Sequence, residues 1–214
     1  MIVVIGGIKG GAGKSTIAVN LAVARAGYHR VLLVDGDHQK TTTKWLRQRN
    51  LEYPDRSPNL SFLNVTGADT RDAIAKAAPN YEDTFIDVGG MDSATQRAAL
   101  SVADQLLIPV QPRSADLWAL EEICTVINAV LTINPTLKSG AFLNRAFSRG
   151  NDNDLAMALI DGTDGIDLIP VKIGDRKAFS NSFGEGLTVP EIKPVDQKSL
   201  EELQTLYRVL FPKK

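Results

Sequence analysis

Eight residues near the start of the chain carry the strongest chemical signal: Lys9-Gly10-Gly11-Ala12-Gly13-Lys14-Ser15-Thr16. An apolar run, Ile2–Ile5, precedes them and a segment of helical period follows, which is the setting a phosphate-binding loop requires. Glycines let the backbone bend until successive N–H groups point at phosphate oxygens. The start of the helix adds a favourable partial charge for the anion. In such a loop Lys14 reaches the β- and γ-phosphates and the Ser15 hydroxyl binds Mg²⁺. Three carboxylates complete the set. Asp35, Asp37 and Asp87 each stand at or just past the end of an apolar, strand-length run. In open α/β sheets ligands bind beyond the carboxyl ends of strands. Asp87 is expected to hold Mg²⁺ through water beside Ser15, and Asp35 to support the same shell. Gly89-Gly90 after Asp87 allows a backbone N–H to approach a γ-phosphate and the loop to respond to it.

The elements that must position these groups alternate. Strand candidates are Ile2–Ile5, Val31–Val34, Leu60–Val65, Phe85–Ile86, Gln105–Pro109, Gly140–Leu143 and Leu168–Val171. Helical periodicity runs through Ser15–Ala26, Thr41–Arg49, Thr70–Ala78, Ser93–Val102 and Ala115–Ile133, with Gly27 at a stop position. Short, almost purely apolar strands alternating with helices predict an α/β fold: a mostly parallel twisted sheet with helices on both faces, a three-layer sandwich. A final helix is expected where Ser199-Leu-Glu-Glu202 has the form of a capping box. Leu200, Leu203, Leu206, Tyr207, Leu210 and Phe211 mark one face of it, suited to docking on the sheet or lying on a membrane. No linker or repeat interrupts the chain, so residues 1–214 read as one domain.

Composition removes several function classes. The 24 basic and 25 acidic side chains leave a formal charge of -1, so any nucleic-acid binding must come from a local patch. One cysteine, Cys124, excludes an internal disulfide and a multi-cysteine metal site within one chain. No signal peptide opens the chain, and no stretch approaches the roughly 18 apolar residues of a membrane span. A cytoplasmic protein is expected.

The loop, with its second lysine at the head, resembles the deviant Walker A motif of the ParA/MinD ATPases. Ile8 stands at the first glycine position of the common motif, a glycine that family does not require. Val34-Asp35-Gly36-Asp37-His38-Gln39 is similar to the family's Asp-x-Asp-Pro-Gln switch, with His38 in place of proline. Phe85-Ile86-Asp87-Val88-Gly89-Gly90 is similar to its Walker B strand and second switch. Ile108-Pro109-Val110 and the Arg176–Gly186 stretch extend the likeness over nearly the whole chain. The resemblance implies a P-loop ATPase using ATP and Mg²⁺. It implies that Asp37 orients the attacking water, that Lys9 reaches the nucleotide of a partner subunit in a sandwich homodimer, and that Asn144 contacts the base. For the smaller partition ATPases it further implies nonspecific DNA binding as the ATP dimer, association with the nucleoid, and stimulation by a ParB-like adaptor. An upstream DNA-reading domain, as in longer relatives, is not expected.

Two clusters suit DNA: Lys40, Lys44, Arg47 and Arg49 after the first switch, and the tail with Lys172, Arg176, Lys177, Lys193, Lys198, Arg208, Lys213 and Lys214. The tail holds eight basic against six acidic side chains. Other readings are a MinD-like membrane-positioning ATPase, positioning of another cargo, or a metabolic relative. Lys9 speaks against a simple dethiobiotin-synthetase-like ligase. The lone Cys124 speaks against a nitrogenase iron protein, which needs two cysteines per subunit.

Overall fold

A computed structural model describes residues 1–7, 9–90 and 93–212, with backbone alone at 115 and 116. Among the described residues seven strands follow the apolar runs: β1 (Ile2–Ile5), β2 (Val31–Gly36), β3 (Leu60–Asn64), β4 (Asp83–Val88), β5 (Gln105–Val110), β6 (Lys138–Ala146) and β7 (Asp167–Gly174). They form one sheet in the order β3-β2-β4-β1-β5-β6-β7, every neighbouring pair parallel. The strand order reverses at β1, so the crevice beyond its carboxyl end is where a ligand belongs. Val3, Val4 and Ile5 are fully buried there, as a central parallel strand demands.

Among the described residues eight α-helices cover the two faces. Helices α1 (Lys14–Ala26), α2 (Thr41–Glu52), α7 (Lys177–Gly184) and α8 (Gln197–Leu210) pack with Val3, Ile5, Leu33 and Phe85. Helices α3 (Thr70–Ala77), α4 (Ala94–Leu100), α5 (Ser114–Leu131) and α6 (Asp152–Asp161) pack with Val4, Val34, Ile86 and Leu106 on the other face. Alternate residues of each strand thus feed different cores, as the two-residue period of a strand requires. The expected three-layer α/β sandwich is present. Helices α6 and α7 were not expected as such.

The C-terminal helix differs from its expected start. Asp196 caps it, accepting from the Ser199 N–H at 2.7 Å. Glu202 does not close a capping box. Its carboxylate accepts instead from the Gly174 N–H at 3.0 Å and from the Arg176 guanidinium, so it ties α8 to the end of β7. Leu206 and Leu210 are buried against the sheet and Leu203 is buried beside them on α8, which settles the apolar face as a core face. No helix among the described residues is long and apolar enough to cross a membrane.

Arg49 was expected on a basic surface, and the structure buries it. Only 1% of its surface is exposed. Its guanidinium donates to both Glu191 oxygens at 2.8 and 2.9 Å, to the Ser57 hydroxyl and to the Gly186 carbonyl. It also lies over the Trp45 ring, one turn back on α2. Trp45 in turn donates from Nε1 to the Leu187 carbonyl. The second half of α2 is thereby fastened to the segment after α7. Arg49→Met removes the buried partner of a half-buried carboxylate that Arg56 also approaches at 3.5 Å, and should lower the unfolding free energy by about 1–3 kcal/mol. Urea unfolding followed by the fluorescence of buried Trp45 measures this, and adding Glu191→Leu should recover part of the loss.

Candidate nucleotide and metal site

The turn between β1 and α1 curls around an open cleft of ≈ 1210 Å³. Gly11 and Gly13 take left-handed φ angles of 79° and 87°, which side chains resist. Beneath the loop, the Asn144 amide at the end of β6 donates to the Ala12 carbonyl at 2.6 Å. A Cβ on Gly13 would fall 2.3 Å from that amide nitrogen, so only glycine lets the loop sit on its support. The Gln111 amide, just past β5, donates to the Gly11 carbonyl and holds the loop from the other side. Among the described residues nothing lies within 4 Å of a Cβ built at Gly10 or Gly11. The tip of the loop is open to an anion. Lys14 is buried, and its Nζ donates to the Lys9 carbonyl at 2.7 Å across the loop, whereas the Lys9 residue is exposed. Ser15 and Thr16 open α1 and line the cleft.

Asp35 and Asp87 are paired in register on β2 and β4, and both are fully buried. They have different tasks. Asp35 Oδ2 accepts from the Thr43 N–H and hydroxyl at 2.7 and 2.6 Å, and its Oδ1 accepts from the Asp37 N–H. It therefore anchors the first turn of α2, and the structure brings it to the metal region through that turn and its charge. Asp87 Oδ2 accepts from the Thr42 hydroxyl at 2.7 Å. Its Oδ1 is buried with no hydrogen-bond partner among the described residues. Burial pushes the Asp87 carboxyl up to about 7, opposed by the Ser15 and Thr42 hydroxyls and the Lys14 charge, and assisted by Asp35.

An orphaned carboxylate oxygen next to a serine hydroxyl at the mouth of a phosphate loop suits a hard divalent cation. Ser15 and Asp87 are the residues that would hold Mg²⁺, Asp87 in its outer shell. There the ion would neutralise phosphate charge.

Asp37 sits half-buried beyond the end of β2. Its Oδ1 accepts from the Gln39 N–H, and its carbonyl accepts from the Lys40 N–H in a four-residue turn. His38 occupies the second position of that turn, where proline is favoured in related turn types. Histidine therefore keeps the turn without fixing it. A Cβ on Gly89 would approach Asp37 Oδ1 at 3.3 Å, so this carboxylate lies over the second glycine-rich turn. Gly90 comes closer still to the phosphate loop. A Cβ there would fall 2.6 Å from backbone atoms of Lys9 and Gly10. Ile8, one of the departures from the common motif, lies outside the described residues.

Comparison with known proteins decides the lineage. Residues 3–189 match the "CobQ/CobB/MinD/ParA nucleotide binding domain" family. The chain belongs to that family. It is 26% identical over 206 residues to a "Maintenance of carboxysome distribution protein A" from Halothiobacillus neapolitanus, covering 96% of this chain and 94% of that protein. It is 31% identical to the "Chromosome partitioning protein ParA" of Myxococcus xanthus, covering 98% and 87%. Among solved structures, an ATP complex of a Cyanothece McdA superposes with a TM-score of 0.81 at 17% identity, covering 100% of this chain and 97% of that one. The septum site-determining protein MinD from Pyrococcus horikoshii, with Mg-ADP, gives 0.76 at 18%, covering 99% and 96%.

In this ParA/MinD-family chain the phosphate loop, Asp37, Gly90 and Asn144 line one cleft, while Asp35 and Asp87 are fully buried at the ends of the strands that lead to it. Asn144 lines the cleft, and its amide also donates to the Ala12 carbonyl under the loop. The far wall of the cleft includes Arg145, Asp175, Lys177, Phe179 and Phe183. Sequence reading missed Thr42, Thr43 and Gln111; the threonine run after Asp-x-Asp was the available signal for the first two. Of the basic clusters, Lys40, Lys44 and Arg47 are exposed, as are Lys177, Lys193, Lys198 and Arg208. Arg176 pairs with Glu202, and Lys172 with Asp154. Lys213 and Lys214 lie outside the described residues.

The Asp87 environment has a measurable consequence. The ordinary value of 3.8 applies in the unfolded chain, against about 7 in the fold. Between those values the folded protein keeps a proton that the unfolded one has released, so stability declines as pH rises through this window. In EDTA and without nucleotide, melting temperature should fall from about pH 5 to about pH 8, and Asp87→Asn should flatten that fall. Differential scanning fluorimetry of both proteins across the range checks the expectation.

Proposed function

We propose that this chain is an ATP-hydrolysing positioning ATPase that works as an ATP-dependent sandwich homodimer, binds DNA without sequence preference, and is stimulated by an adaptor protein. The observation that carries this reading is the division of labour between two loop lysines. Lys14 is buried and turned across its own loop, while Lys9 is exposed at its head. In this reading Lys14 and the loop N–H groups bind the β- and γ-phosphates of ATP. Asp37 orients the attacking water, Lys9 serves the nucleotide of the neighbouring subunit, and Ser15 and Asp87 hold Mg²⁺. Positioning and charge neutralisation are most of what phosphoryl transfer asks of a protein. The similarity to the Myxococcus partition protein supports DNA as the surface or cargo. The similarity over nearly the full chain to a carboxysome distribution protein favours a second reading of the cargo: a protein assembly moved over DNA by the same cycle. The buried apolar face of α8 speaks against a membrane as the surface.

Complementation tests the dimer and both residue roles together. Lys9→Ala and Asp37→Ala should each hydrolyse ATP poorly alone. In a mixed dimer one site combines an intact Asp37 with an intact Lys9 from the partner, and the other lacks both. With random pairing the mixture should regain up to about a quarter of wild-type activity. Mixed dimers that form with ATP yet stay inactive refute the assignment of Lys9 to the neighbouring site.

Retardation of duplexes tests the DNA arm. ATP-loaded protein should shift DNA of any sequence and ADP-loaded protein much less, with affinity falling steeply as salt rises. Lys44→Glu paired with Arg47→Glu, on the exposed side of α2, should reduce the shift. Shifts that are absent, or equal with ATP and ADP, count against this arm.

A further inference from the structure

The first turn of α2 does more than follow the Asp35–Asp37 segment. Thr42 and Thr43 divide the two paired strand-end carboxylates between them: Thr43 holds Asp35, and Thr42 holds Asp87. The Thr42 side chain is fully buried, and its hydroxyl donates to Asp87 Oδ2 alone. The terminal torsion of an aspartate is broad and roughly two-fold, so an unrestrained carboxylate presents either oxygen. A hydroxyl fixed on Oδ2 removes that freedom. It leaves Oδ1, the oxygen without a partner, as the one available to an ion.

We propose that Thr42 is a positioning residue of the cation site, which selects Asp87 Oδ1 as the oxygen facing Mg²⁺ and its water shell. This rests on the reading of the cleft as a Mg²⁺–nucleotide site. Thr42 acts through Asp87 and touches neither ion nor nucleotide. Its role is separable from anchoring the helix, because α2 has independent fastenings. Thr43 and Asp35 hold the first turn, and Trp45 and Arg49 hold the second half on Leu187 and Glu191. Thr42→Val keeps the branched shape and replaces the hydroxyl with a methyl, deleting the donor. Thr42→Ser keeps the donor.

The test compares both variants with wild type in two measurements on the full chain. Mn²⁺ binding to the ADP-loaded protein, read by electron paramagnetic resonance, reports the cation site. Binding of a fluorescent ADP analogue in EDTA reports the phosphate loop without metal. Thr42→Val should bind Mn²⁺ about 10- to 100-fold more weakly, the range for lost outer partners of metal-binding groups. Its ADP affinity in EDTA should stay within about twofold of wild type, since the loop itself is untouched. Thr42→Ser should resemble wild type in both. Unchanged Mn²⁺ affinity in Thr42→Val overturns the proposal. So does an equal loss of ADP binding in EDTA or failure to fold, which makes Thr42 a helix anchor. Impairment of Thr42→Ser equal to that of Thr42→Val also overturns it, because the hydroxyl is then not the cause. Wild-type protein that binds neither ADP nor Mn²⁺ would instead refute the nucleotide-site reading on which the proposal rests.

Discussion

A carboxylate buried with one oxygen lacking a hydrogen-bond partner is a costly thing to fold, and the Asp87 group at the end of β4 is such a carboxylate. Much of the surrounding architecture compensates for it. Thr42 supplies one hydrogen bond, Ser15 brings a hydroxyl, and Lys14 contributes an opposing charge. What they leave unmet is a demand for positive charge at one place. Because Asp35 lies in register beside it, also buried, the demand is larger than one group alone would make. The sheet therefore folds with a local electrostatic deficit that a cation would complete.

Helix α2 connects this deficit to the rest of the cleft. Its first turn grips the two carboxylates. Its second half is locked onto the segment from Gly186 to Glu191, which leads out of α7. Helix α7 lines the opposite wall through Phe179 and Phe183. One rigid element thus sets the separation between the metal end of the cleft and its far wall. The Arg49–Glu191 pair is more valuable for this geometry than for net stability, since buried ion pairs gain little over well-packed apolar ones.

The parts of the site that could be read in advance were those where backbone and chemistry coincide. A glycine-rich turn after a buried strand has few alternative explanations, and carboxylates at the ends of apolar strands are hard to place in a core without a purpose. Lys14, Ser15 and Asp87 were legible for these reasons. Arg49 was not. Charge in a helix suggests solvent, yet its position four residues after Trp45 puts it on the buried side. Ser199 and Glu202 had the spacing of a capping box, but Arg176 and the end of β7 compete for the glutamate, and that competition exists only in three dimensions. Helix α6 escaped notice because Leu155 and Leu159 are exposed on it while only Ala156 and Ile160 are fully buried, so its apolar pattern does not mark one face. Asn144 had a legible place at a strand end, but the amide's partner, the Ala12 carbonyl, lies 132 residues away in sequence.

The turn from Asp37 to Lys40 is closed by one backbone hydrogen bond and steadied by the Asp37 side chain. Proline at its second position would fix φ in the unfolded chain as well as in the turn. With His38 the unfolded chain keeps its backbone freedom there, and folding gives up about 0.4–1 kcal/mol more conformational entropy than it would with proline in an unstrained turn. That difference lowers the folding equilibrium constant by about two- to fivefold. His38 thus acts on the turn through the unfolded chain, by a freedom that needs no contact in the fold at all.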